Sequence, residues 1–249
     1  MMQLIQLIID GVASGCIYGL VALGFVLIYK ATETINFAQG DILMLGAFVA
    51  FSLIGVLGMN YIVGFILTVI IIAVFGFFLD AVVVRQIIGQ PAFATVMLTI
   101  GLGFIFRGFA SIYWGTDIFS FSTPFSGKIT EVGGLIISYV NISIIVGTTL
   151  LMGILFAFFS FTKIGVAMRA SSENQLAAYY MGIPVKFIFS LIWSISAGVA
   201  AIAGVLLAPI TLVDTSISLI GLKAFAAAVL GGFGSIPVQL YVVGSLLEL

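Results

Sequence analysis

The sequence predicts an all-α protein, a polytopic bundle of about seven to eight membrane-spanning helices, and three observations predict it. Hydrophobic residues fill 63% of the 249 positions and charged residues 7%, whereas about a quarter of a water-soluble domain is charged. The apolar residues form continuous runs rich in Leu, Ile, Val, Phe, Ala and Gly, and several runs approach the ~20 residues that cross a bilayer as a helix. A membrane β-barrel would instead alternate apolar and polar positions over segments of roughly ten residues.

The apolar segments fall at 6–29, 42–57, 61–84, 92–114, 135–161, 187–208 and 217–230, with a last one starting at Val238. The opening MMQLIQLIID has neither the basic stretch nor the small-residue cleavage site of a secretory signal, so the first segment is expected to stay as a membrane helix. Residues 238–249 are too short to cross as a helix rising ~1.5 Å per residue, and the bundle is therefore expected to be truncated at its C-terminus. Cys16 is the single cysteine, which rules out an intrachain disulfide.

Orientation follows from the basic residues, because short cytoplasmic loops are enriched in Lys and Arg. Placing 162–186 inside puts Lys30, Arg85, Lys163, Arg169 and Lys186 on the cytoplasmic side, with Arg107 and Lys128 toward the outside and Lys223 within a segment. The stretch 115–134, rich in Ser, Thr, Gly and Pro, then becomes the main external loop. Were 42–57 re-entrant rather than spanning, every earlier side would flip.

The polar island 162–186 is the chain's charge anomaly: Lys163, Arg169, Glu173 and Lys186 lie there, directly after a run, 135–161, that has no charge at all. Ser172 followed by Gln175 is a capping-box pattern, Glu173 in the first turn would complement the helix dipole, and Gly182 with Pro184 behind it is a stop. A helix over 173–181 is predicted, about 13 Å long. Leu176, Tyr179 and Tyr180 give it an apolar, aromatic stripe. It is too short to persist alone in water, so it must lean on another surface. Taken singly, the basic residues of the island equally fit contacts to lipid headgroups.

A second candidate site is INFAQGD, 35–41. Asn36, Gln39 and Asp41, with Phe37 and Gly40 among them, lie next to an apolar helix, and Gly40 permits irregular backbone, which membranes tolerate only where it is buried in protein or lines a cavity. Its bland alternative is an ordinary cytoplasmic loop. Lys223, an ionisable residue inside an apolar segment, is a functional candidate on that ground, although from the start of its segment it can also snorkel outward. Arg107 and Asp80 read as interfacial anchors near segment ends. Small residues in 198–208, with Ala200 and Gly204 at the usable spacing, signal close helix packing. ISLIGLKAFAAAVLGG faintly echoes INFAQGDILMLGAFVA.

Several functions are excluded by what is missing. There is no G-x-x-x-x-G-K-[ST] phosphate loop, and with no histidine and scattered carboxylates no metal site or nucleophile-base pair can be assembled. An enzyme is not expected. A secondary transporter would be expected to pair intramembrane ionisable groups, and a channel would need no docking helix.

Several motifs in combination carry a family resemblance. Gly19, Ala22, Leu23, Gly24 and Tyr29, then INFAQGD with MLGAF behind it, IGVAMRA at 164–170, Ala177, Ala178 and Gly182 in the island, MGI at 181–183, and KAFAAAVLGGFGSIP at 223–237 are similar to the branched-chain amino acid permeases of ATP-binding-cassette importers. The acidic residue that opens the coupling motif in many importers is Leu176 here. The resemblance implies one transmembrane permease domain, 1–249, with a cytoplasmic coupling loop at 162–186, in a bacterial inner membrane. It implies coupling to an ATPase through Gly165, Arg169, Glu173, Ala177, Ala178 and Gly182, and a translocation pathway near Asn36, Phe37, Gln39, Gly40 and Lys223. The implied partners are ATP-binding subunits, a second related permease, an extracytoplasmic substrate-binding protein and the lipid bilayer, with no nucleic acid. No cofactor is expected in the chain itself, since ATP is bound by partner subunits. The implied cargo is Leu, Ile and Val, with urea or short amides as the alternative.

Overall fold

The computed structural model describes residues 2–87, 90–120, 123–132 and 135–232. Its helices are α1 (Met2–Thr32), α2 (Gln39–Ala50), α3 (Tyr61–Val82), α4 (Ala92–Trp114), α5 (Tyr139–Phe161), α6 (Lys163–Glu173), α7 (Gln175–Tyr180), α8 (Val185–Thr211) and α9 (Ile220–Gly231). A π-helical extension, Phe51–Val56, continues α2. The strands β1 (Ile129–Val132) and β2 (Leu135–Ser138) pair as an antiparallel hairpin, Ile129 opposite Ser138.

Among the described residues six helical stretches are long and apolar enough to cross a membrane: Ile5–Thr32, Gln39–Val56, Tyr61–Ile87, Phe93–Trp114, Tyr139–Phe161 and Val185–Thr211. This corrects the expected count of seven to eight. The segment at 217–230 is part of a shorter apolar stretch, Thr215–Gly231, and the segment from Val238 lies outside the described residues. The segment expected from 135 is also shorter, because its first four residues are spent on β2.

Contacts sort the connections into two ends. At one, the Gln175 amide donates to the carbonyl of Ala31 at the end of α1, and Arg85 donates to the carbonyl of Lys186 in the first turn of α8. All five basic residues assigned inside gather at this inner end. At the other, Asn141 at the start of α5 donates to Asp10 of α1, the Trp114 indole donates to Ser52 at 2.7 Å, and Phe119 pairs with Val213. The helices α2, α4 and α8 run toward the outer end, and α1, α3, α5 and α9 run toward the inner end.

Burial is concentrated in α1, α2 and α8, with α3, α4 and α5 as an outer layer. Small residues make this possible. A Cβ on Gly204 would lie 3.1 Å from the backbone nitrogen of Ala47, and one on Gly46 would lie 2.7 Å from the Cα of Ala201, so Ala201 and Gly204 pack α8 onto α2, with Ala200 buried beside them. Without a hydrophobic driving force between helices in lipid, this close backbone approach and its dispersion contacts hold the layers together.

Asp80 is not an interfacial anchor. Asp80 is buried and accepts from Ser190 of α8 at 2.7 Å and from Arg85 at 3.4 Å. Arg85 also donates to Ser190 and to the carbonyl of Lys186, bolting the inner end of α3 to the inner end of α8.

Candidate functional site

Two places concentrate the candidate residues: a crossing at the membrane centre and the island at the inner end. The crossing forms because the chain, after leaving α1 at Thr32, turns back into the bundle before α2 begins. Asn36 accepts from the Ala38 backbone N–H at 3.1 Å and donates to Gln39 at 3.3 Å. Gln39 in turn donates to the Ser196 carbonyl at 3.3 Å, while the Ser196 hydroxyl bonds the Gly24 carbonyl at 2.9 Å. Ser196 lies roughly 16 Å along α8 from its inner end, so α2 starts near mid-bilayer. This overturns the reading of 35–41 as an ordinary cytoplasmic loop. The irregular backbone at this depth is satisfied by protein, including the Thr99 hydroxyl that accepts from the Phe37 N–H at 3.2 Å.

The helix α9 also begins here and runs the opposite way. Gly40 and Gly221 touch backbone to backbone: a Cβ on Gly40 would be 2.8 Å from the Gly221 Cα, and one on Gly221 would be 2.6 Å from the Gly40 Cα. Only glycine at both positions permits that crossing. The faint echo between 217–232 and 35–50 thus has a spatial counterpart, two helices whose N-termini meet at the centre. Phe37 and Phe25 both pack against Phe225 of α9, with ring centroids 5.3 and 5.7 Å apart.

Asn36, Gln39 and Gly40 are buried and Phe37 half-buried, so in this conformation they brace the crossing rather than open onto a channel. Lys223, one turn into α9, is exposed on the bundle's face. Because α9 starts at the centre, Lys223 is far below the outer surface to which it was expected to snorkel.

The structure joins Asp41 of the second candidate site to Arg107, a pairing that sequence reasoning had not made. Arg107 reaches from α4 to grip both oxygens of Asp41, Nε to Oδ1 at 2.6 Å and Nη2 to Oδ2 at 3.4 Å. Arg107 is therefore an intramembrane partner of α2 and not an interfacial anchor. The Ser218 hydroxyl, just before α9, also lies beside the Asp41 carboxyl. The one signal in the sequence was the presence of two opposite charges inside apolar runs, where ionisable groups are expected to pair.

The island contains two helices, and the expected cap was misplaced. Thr162 caps α6 by accepting from the Gly165 N–H at 3.0 Å. Ser172 and Glu173 are in the last turn of α6, where Ser172 bonds back to the Met168 carbonyl. The cap of α7 is Asn174, whose Oδ1 accepts from the Ala177 N–H at 2.9 Å, and the helix is Gln175–Tyr180 rather than 173–181. Burial of Met168 and Ser171 favours continuing α6 past the earlier cap. The stop falls at Gly182, with φ of +80°: its N–H donates to the Tyr179 carbonyl and that of Ile183 to the Ala178 carbonyl, a Schellman pair.

The six expected coupling residues separate in space. Gly165 is buried, because a Cβ there would meet the Phe159 Cα at 2.6 Å, so it lets α6 fold back against the end of α5. Arg169 and Glu173 line a crevice of about 200 Å³ with Lys30 of α1 and Ile192 of α8. Ala178 is buried, while Ala177 and Gly182 are exposed. Sequence reasoning did not foresee that Met181 would join the aromatic stripe. Leu176, Tyr179, Tyr180 and Met181 are 70%, 68%, 82% and 82% exposed, a contiguous apolar patch at the inner end.

Among the described residues no group of three or more His, Cys, Asp or Glu side chains is placed to hold a metal ion.

Residues 7–247 match the family profile described as the branched-chain amino acid transport system permease component. The chain is 31% identical to the high-affinity branched-chain amino acid transport system permease protein BraD of Pseudomonas aeruginosa over 247 residues, which cover 94% of this chain and 80% of that one. It is 30% identical, with the same coverage, to the corresponding protein LivH of Escherichia coli K12. A probable branched-chain amino acid transport permease protein of Methanocaldococcus jannaschii is 29% identical over 237 residues, covering 90% and 74% of the two chains. No solved structure matches the chain.

Proposed function

Since the chain belongs to the branched-chain amino acid transport permease family, we propose that it is the membrane-spanning subunit of an ATP-binding-cassette importer for Leu, Ile and Val. It would sit in the bacterial inner membrane beside a second, related permease, receive cargo from an extracytoplasmic binding protein, and bind no nucleotide itself. ATP-binding subunits supply the energy.

The observation that carries this reading is the patch on α7. Three large apolar side chains, Leu176, Tyr179 and Tyr180, stand open on a six-residue helix that is capped at both ends and tied to α1 through Gln175, and Met181 at its C-terminal cap adds a fourth. Contiguous exposed apolar surface at the aqueous end of a bundle marks a docking site. Helix α7 runs directly through Gly182–Pro184 into α8, and α8 carries Ser196 of the crossing, so a push at α7 is delivered to the membrane centre by a rigid element. Rocking of packed helices around a midplane site is the usual repertoire of transporters. On this reading Asn36, Gln39 and Gly40 brace the pathway, with Phe37 alongside, and Lys223 opens onto it.

Reconstitution into vesicles with separately supplied ATP-binding subunits and binding protein tests the proposal. Leucine accumulation that requires ATP and those subunits is expected; accumulation driven by an ion gradient without them would overturn it.

A further inference from the structure

Arg107 has chemistry that neither the docking patch nor the α2–α9 crossing uses. One edge of its guanidinium is locked onto both oxygens of Asp41. A guanidinium carries five N–H donors, and the rest of this one meets no acceptor among the described residues. Arg85 differs in its place rather than in how many donors are met: its Nη2 is shared among Asp80, Ser190 and the Lys186 carbonyl at the inner end, while its buried Nε meets no acceptor among the described residues.

The exposures of the central pair are unequal. The Asp41 side chain is 2% exposed and that of Arg107 is 40%, so the carboxylate is sealed while the guanidinium opens onto the face of the bundle. Helical side chains lean toward their helix N-terminus, which carries this group inward from the outer end of α4, to the level where a Cβ on Gly103 would strike Asp41. It is directed away from the aqueous surface to which a snorkelling arginine would reach. Phe104 lies beneath it, ring centroid 5.4 Å from Cζ, and is itself exposed. Hydrocarbon cannot satisfy the free donors, whereas an anion on an aqueous path can. Arginine suits planar carboxylates because its fork matches their two oxygens. Lys223 adds a second cation near the same crossing.

We propose that Arg107, oriented by Asp41, binds the α-carboxylate of the amino acid as it passes the membrane centre, with Phe104 as the apolar wall for the aliphatic side chain. The proposal rests on the permease reading above.

The test uses Phe104→Cys in a Cys16→Ser background, in the complete complex in vesicles, labelled with a charged methanethiosulfonate. Labelling is expected, and leucine should slow it by roughly tenfold or more, the scale of a charge-assisted hydrogen bond. Leucinol, in which a hydroxymethyl group replaces the carboxylate, should not. Adding Arg107→Gln should abolish protection without abolishing labelling, and Arg107→Lys should retain part of it. Equal protection by leucine and leucinol, or protection that survives Arg107→Gln, overturns the carboxylate assignment while leaving the permease reading intact. No labelling in a complex that still transports means the face is covered by lipid or a second permease, and also overturns it. Absence of ATP-dependent leucine uptake by the Cys16→Ser complex is the separate failure of the permease reading.

Discussion

The central crossing and the inner island are both irregular interruptions of an apolar bundle, yet they are finished in opposite ways. At the crossing the broken backbone is satisfied by Asn36, Gln39, Thr99 and Ser196, and two glycines close the remaining space. At the island the backbone is equally well capped, but Leu176, Tyr179, Tyr180 and Met181 are left uncovered. A region completed by its own chain is built for precision of position; a region left apolar and open is built to be completed by another chain. Damage to the first should appear as lost stability, and damage to the second as lost assembly.

The largest effect is expected from Gly40→Leu. Its side chain would displace the α9 backbone, and overpacking of this kind costs about 3 kcal/mol or more, so the thermal midpoint in detergent should fall by roughly 10 °C. Gly182→Leu should behave differently, because φ of +80° costs a side-chain residue about 1–2 kcal/mol, confined to a surface turn. Membrane insertion should persist while co-purification with ATP-binding subunits is lost.

A paired measurement sharpens the contrast. Gln39→Ala leaves buried partners unsatisfied and should lower stability by about 1–3 kcal/mol without changing affinity for the ATP-binding subunits. Tyr180→Ala should do the reverse, weakening that affinity by about 30-fold if Tyr180 is an interface anchor. The smallest effect is expected from Asn174→Ala, where loss of the α7 cap costs about 1 kcal/mol and should lower ATPase stimulation only partly.

How much of this was legible in the sequence depends on the range of the interactions involved. Apolar run length alone located the long helices, and Gly182 was readable as a stop because a glycine that can take positive φ just after a helix, with a proline two residues on, is a local signal. The start of α7 was not, since Ser172 and Asn174 are both good caps and the choice depends on packing of α6 against the bundle. The joining of Asp41 to Arg107 spans 66 positions and leaves no periodic trace. Likewise, the short stretch 217–230 resembled a span by composition, and only its contact with Gly40 reveals that it begins at the centre. The depth of 35–41 was hidden for the same reason: Ser196, which holds Gln39, is distant in the chain.

The claim that α7 receives the push from an ATP-binding subunit is tested most directly by solvent access at Tyr180. Tyr180→Cys in the Cys16→Ser background, labelled with an impermeant maleimide from the inner face, should react readily in the permease alone and become protected when the ATP-binding subunits are added, whereas Lys128→Cys, labelled from the outer face, should be unaffected by them. Equal labelling of Tyr180→Cys with and without those subunits, in a complex shown to import leucine, would contradict the account.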